Sequence, residues 1–129
     1  MKSKSKVTML VVAVLLSLLS SVNVQASQTG KCGDNITWTL DDKGNLELTG
    51  NGKMYDYSLM GGPWSTSIVS VTISEGIENI GKYAFSFCGK LTNVVIPNSV
   101  KEILEGVFRG CIYNHRTTKT NQKYPSVNL

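Results

Sequence analysis

The sequence predicts a mainly β fold with short helical turns, a short solenoid of stacked repeats opened by an N-terminal β-hairpin cap. Residues 68–88 (IVSVTISEGIENIGKYAFSFC) and 91–111 (LTNVVIPNSVKEILEGVFRGC) repeat one another at an offset of 23 residues. At that offset Val71/Val94, Ile73/Ile96, Ile80/Ile103, Phe85/Phe108 and Cys88/Cys111 are identical, and Ile68/Leu91 and Ile77/Val100 agree in kind. The agreeing positions are apolar and the differing ones mostly polar, as in copies that bury the same side chains against their neighbours. Upstream, two short runs alternate apolar and polar residues, which supplies the hairpin.

The chain starts with a basic cluster, Lys2, Lys4 and Lys6, then an apolar run over residues 7–19. Val24-Gln25-Ala26 places small residues at −3 and −1 before Ser27, so residues 1–26 read as a secretory signal peptide. The run is shorter than the ~20 apolar residues needed to cross a bilayer, so no membrane span is expected once the signal is removed. Residues 27–67 form the expected cap. Within it Ile36–Leu40 (ITWTL) and residues 46–49 (LELT) alternate about the turn Asp41-Asp42-Lys43-Gly44-Asn45. The aromatic segment from Met54 to Trp64 is expected to cover the first face of the stack.

The two repeats occupy residues 68–111. Val71, Ile73, Val94 and Ile96 form the buried side of two strands, and Ser70, Thr72, Asn93 and Val95 the opposite, exposed side. Ile80 and Ile103 begin a second apolar touch. The segments around Phe85 and Phe108 suit one helical or 3₁₀ turn, closed by Cys88 and Cys111. Residues 112–129 (IYNHRTTKTNQKYPSVNL) carry no apolar period and read as a polar, basic, disordered tail. With no third V-x-I strand, the C-terminal edge of the stack is expected to lie open and to permit self-association.

The formal charge of +4 mostly disappears with the signal, and residues 27–111 carry seven basic against nine acidic residues. A nucleic-acid partner is therefore not expected. Three cysteines, Cys32, Cys88 and Cys111, cannot make a complete disulfide framework. Equivalent side chains in a stack point the same way, so they are read as buried thiols.

No catalytic constellation is readable. His115 is the only histidine, and no His/Cys metal cluster or phosphate-binding glycine loop accompanies it. Asp41 to Asn45 lacks the later acidic ligand of a calcium loop and is explained by the hairpin turn. Asn35-Ile36-Thr37 is a glycosylation sequon. Tyr55, Tyr57 and Trp64 could stack on a sugar, but as cap residues they are assigned to the core. No enzyme activity, metal or cofactor is expected.

The repeats resemble the leucine-rich repeats of the BspA-like surface-antigen type, roughly L-T-x-V-x-I-P-x-S-V-x-x-I-G-x-x-A-F-x-x-C. The carriers are Leu91, Thr92, Val94, Ile96, Pro97, Ser99, Val100, Ile103, Phe108 and Cys111, and in the other copy Val71, Ile73, Ile77, Ile80, Gly81, Ala84, Phe85 and Cys88. Leu104, Val107 and Phe87 depart from it, standing where the pattern has Gly, Ala and Gly. The upstream segment, with Cys32-Gly33, Trp38 and Pro63-Trp64, resembles the cap that precedes such arrays. The resemblance implies a leucine-rich-repeat solenoid, secreted or held at the cell surface. It would bind a protein or a host or cell-surface macromolecule in adhesion, not catalysis. The binding face would be Ser70, Thr72, Asn93 and Val95. The rival expectation is a truncated or frameshifted start of a longer adhesin, with residues after Cys111 read through in the wrong frame.

Overall fold

The computed structural model describes residues 27–111 and the backbone of 116–119. Residues 1–26, on which the signal reading falls, lie outside the described residues. The chain runs β1 (Gln28–Gly33), β2 (Ile36–Leu40), β3 (Asn45–Gly50), β4 (Ser70–Ile73), β5 (Asn79–Ile80), β6 (Asn93–Ile96), β7 (Glu102–Ile103) and β8 (Arg116–Lys119). Six of these form one sheet in the order β1-β2-β3-β4-β6-β8, and β5 and β7 form a second, two-stranded sheet. Pairing is antiparallel within the cap and parallel from β3 onward.

The hairpin forms because ITWTL and LELT each bury every second side chain, Ile36, Trp38 and Leu40 in β2 and Leu46 and Leu48 in β3. The Asp41 carboxylate closes its turn, accepting from Lys43 N–H at 2.9 Å and from Asn45 N–H and Nδ2 at 2.8 Å each. β1 was not expected. Its outer residues Gln28 to Lys31 show no alternation, and it joins β2 as an edge strand whose register shifts between Lys31 and Gly33.

Coil follows coil at the repeat offset, with Ser70 opposite Asn93 and Val71 opposite Val94. The segment expected as one helical or 3₁₀ turn is a run of turns, each closed by a hydrogen bond to the residue three before it. Its N–H groups alternate between two destinations. Ala84, Ser86 and Cys88 donate back within the coil, to the carbonyls of Gly81, Tyr83 and Phe85. Tyr83, Phe85 and Phe87 donate forward, to Glu105, Val107 and Arg109 at 3.0, 3.0 and 2.6 Å. A helix would commit all of these donors internally; the turn run divides them between the coil and its neighbour.

The core lies between sheet and turn run, and an aromatic column threads it. Trp38 meets Trp64 edge-on at 6.0 Å, Trp64 meets Phe85 at 5.4 Å, and Phe85 stacks on Phe108 at 5.9 Å. The segment before β4 covers the first coil. Tyr57 N–H donates to Lys82 O, and Gly62 N–H and Trp64 Nε1 both donate to Ala84 O. Here the backbones touch, since a β-carbon at Gly81 would run into the Tyr55 carbonyl.

Two sequence expectations are corrected at the C-terminal end. A further strand does follow Cys111. β8 pairs with β6 in parallel, Asn93 opposite Arg116 through Ile96 opposite Lys119, so the 23-residue offset runs on. Ladder hydrogen bonds come from the backbone, so Thr117 and Lys119 can continue a strand without the apolar side chains by which the earlier ones are read. The β6 edge is accordingly occupied rather than open. Residues 112–115 and 120–129, the rest of the expected tail, lie outside the described residues.

Candidate binding face

The outward side of the large sheet is assembled one strand at a time. Register brings Thr29, Thr39, Glu47, Thr72 and Val95 into one row, and the position of Thr118 continues it. A parallel row runs through Asn45, Ser70 and Asn93 to the position of Arg116. Thr37 and Thr49 lie opposite one another, with hydroxyls 3.2 Å apart. Neighbouring strands set successive residues of a row about 4.8 Å apart.

The sheet brings together all four residues singled out in the sequence. Thr72 is exposed, whereas Ser70, Asn93 and Val95 are half-buried. Flanking side chains account for part of that shielding: Ser70 Oγ donates to Asn45 Oδ1 at 2.7 Å. The sequence reading missed Asn45, Glu47, Thr37 and Thr39 as members of the same face. Their alternation within the hairpin is visible in the sequence, but the parallel pairing of β3 on β4 that joins them to the repeats has no local signature.

At the cap side the face dips into a depression of about 330 Å³ lined by Ser27, Thr39, Asp41, Asn45, Glu47 and Thr72 among others. Hydrogen bonds from the Asn45 side chain and backbone hold the Asp41 carboxyl below its usual range. The face thus offers hydroxyls, amides and two carboxylates.

The inward side is apolar. Val71, Ile73, Ile80, Phe85, Cys88, Val94, Ile96 and Phe108 are buried, while Ile103 and Cys111 are partly buried against them. Cys32, Cys88 and Cys111 are free thiols. Burial raises Cys32 and Cys88 from an ordinary 9.0 to about 12, and raises Cys111 as well. Cys111 Sγ donates to Phe85 O at 3.0 Å, tying one coil to the next. Of the three cap aromatics, Trp64 is buried and Tyr57 half-buried, whereas Tyr55 is exposed and donates its hydroxyl to Asp34 at 2.8 Å. Among the described residues no group of three or more His, Cys, Asp or Glu side chains could hold a metal ion, and no helix is long and apolar enough to cross a membrane.

A family model described as the BspA type leucine rich repeat region, in 6 copies, matches residues 64–127. No curated protein matches the chain. Among solved structures the chain is similar to a leucine-rich repeat protein from Eubacterium ventriosum, at 30% identity and a TM-score of 0.65 over 74% of this chain. It spans 28% of the length of that protein. Residues 64–127 thus carry repeats of this type, and the chain belongs to the BspA-type leucine-rich repeat family.

Proposed function

We propose that the chain is a secreted or cell-surface module that binds a protein, or another macromolecule of a host or cell surface, through the outward face of its large sheet. The carrying observation is the in-register row Thr39, Glu47 and Thr72, continued by Val95, which joins cap and repeats into one continuous surface. Solenoids present ligands with an extended surface of this kind. Ser70, Thr72, Asn93 and Val95 are the proposed contact residues, with Glu47 and Thr39 beside them. Residues 27–67 serve as the cap and 68–111 as the two repeats that carry the face. Adhesion fits this surface better than catalysis, because its chemistry is that of hydrogen-bonded recognition. The family match continues through residue 127, which supports reading the stretch after Cys111 as repeat sequence rather than as a foreign tail.

The test has two arms. Fluorescently labelled mature chain is added to cultured epithelial cells and retention is read by flow cytometry. Thr72→Arg with Asn93→Arg is expected to lower apparent affinity about tenfold or more, a loss of about 1.4 kcal/mol. Retention unchanged by the pair would remove the face from consideration. In the second arm, mass spectrometry of the exported protein is expected to find Ser27 at the N-terminus. Soluble cytosolic protein that retains residues 1–26 would sink the export claim.

A further inference from the structure

We propose that β8 is a guard strand: it occupies the outer edge of β6 in cis and thereby keeps a second copy of this chain from pairing there. Two independent observations carry this. One is the backbone register, which sets residues 116–119 against 93–96 with no slip from the repeat offset. The other is the family match, which extends over these residues to 127.

The composition of β8 separates it from an ordinary repeat strand. Where β6 has Asn93, Val94, Val95 and Ile96, β8 has Arg116, Thr117, Thr118 and Lys119. The two threonines keep the β-branched character that suits a strand. The two ends are cationic, and no acidic residue follows Cys111 in the sequence. β8 is also the outermost strand of the sheet among the described residues. Charged residues, lysine above all, are a recurring means of blunting an outer strand against pairing with another chain. An edge formed by β6 itself would be different in kind. It would align unpaired N–H and C=O groups beside Val94 and Ile96, which are 0% and 2% exposed with β8 in place. Such an edge is a template for a strand of any copy that arrives. β8 satisfies that edge from within the chain with a sequence that carries a cation at each end.

The two features separate in experiment. Sedimentation velocity over a wide concentration range is run on the full chain, on Thr117→Pro with Thr118→Pro, and on Arg116→Val with Lys119→Val. Proline cannot donate to a ladder, so the first pair releases β8 and uncovers β6. The second pair keeps a strand-forming sequence and removes the charge. The full chain is expected to keep one sedimentation coefficient at all concentrations. Both variants are expected to shift to larger species as concentration rises, the proline pair at the lower concentration. Circular dichroism establishes that each variant remains folded, and should the proline pair unfold, the valine pair decides alone. A full chain that associates as readily as the variants overturns the proposal, as do folded variants that stay monomeric.

Discussion

Ser99 shows how a single side chain joins two coils. Its Oγ accepts from Gly76 N–H at 3.0 Å and donates to Ile77 O at 2.8 Å, both one coil earlier. Glu75 answers from that earlier coil, accepting from Asn98 N–H and Ser99 N–H at 3.2 Å each. The serine of the repeat pattern is therefore an inter-coil hydrogen-bonding residue, although its small size alone suggests only a turn. Gly81 acts by having no side chain, because the Tyr55 carbonyl occupies the space of a β-carbon. Gly89 has nothing within 4 Å of that position. Gly81→Ala is accordingly expected to lower stability by about 1–3 kcal/mol, the range of overpacked sites, while Gly89→Ala stays within about 0.5 kcal/mol of the parent. Urea denaturation of the two variants checks this, and equal midpoints would refute the cap contact. Leu104, which stands at the glycine position of the second coil, is half-buried. Phe87 and Tyr83 adopt left-handed conformations, φ 58° and 55°, at the positions taken by Gly110 and Gly106 one coil later. Their rings lie over those two glycines, where a β-carbon would strike them, so the departure from glycine in one coil is matched by glycine in the next.

At the scale of elements, the turn run and the aromatic column carry each coil. Phe108 ends the described column and stacks on Phe85 at an interplanar angle of 22°. Phe108→Ala removes that ring and is expected to cost about 3–5 kcal/mol, of the order of the total stability of a small domain. Thermal melting reads the change, and an unaltered midpoint would count against the coil register. Which elements were legible follows from what holds each one. β4 and β6 show in the sequence because their inward residues are apolar and recur. The hairpin shows because both its strands alternate. β1 and β8 do not show, since each joins the sheet at its margin through backbone pairing and neither repeats the apolar pattern along its full length. The form of the turn run is only partly legible, because Tyr83-Ala84-Phe85 has the composition of a helical, 3₁₀ or β-turn alike, and only the neighbouring coil decides where its N–H groups point.

For the whole molecule, the repeat identities at 23 residues made the architecture legible, and the outward residues of the two repeats made half of the face legible. The other half, Asn45, Glu47 and the hairpin threonines, depends on a parallel pairing between segments 25 residues apart, Asn45 with Ser70, that nothing local announces. Buried thiols set the behaviour of the entire fold in alkali. Cys32 and Cys88 hold their protons to about 12 when folded, against 9.0 ordinarily. The folded chain therefore retains protons that the unfolded chain gives up, and stability present below pH 9 is lost as pH rises from about 9 to about 12. The melting temperature is expected to fall across that window, and less steeply in Cys88→Ala; a flat profile in both proteins would contradict the burial of these thiols. Hydrogen bonds link coil to coil on both sides of the core, through β4 and β6 on one and through Phe85 N–H to Val107 O on the other. Neither side can therefore part alone: separating one coil from the next must break the strand ladder and the turn-to-turn bonds together, so a coil is expected to be lost as a unit rather than peeled from one margin.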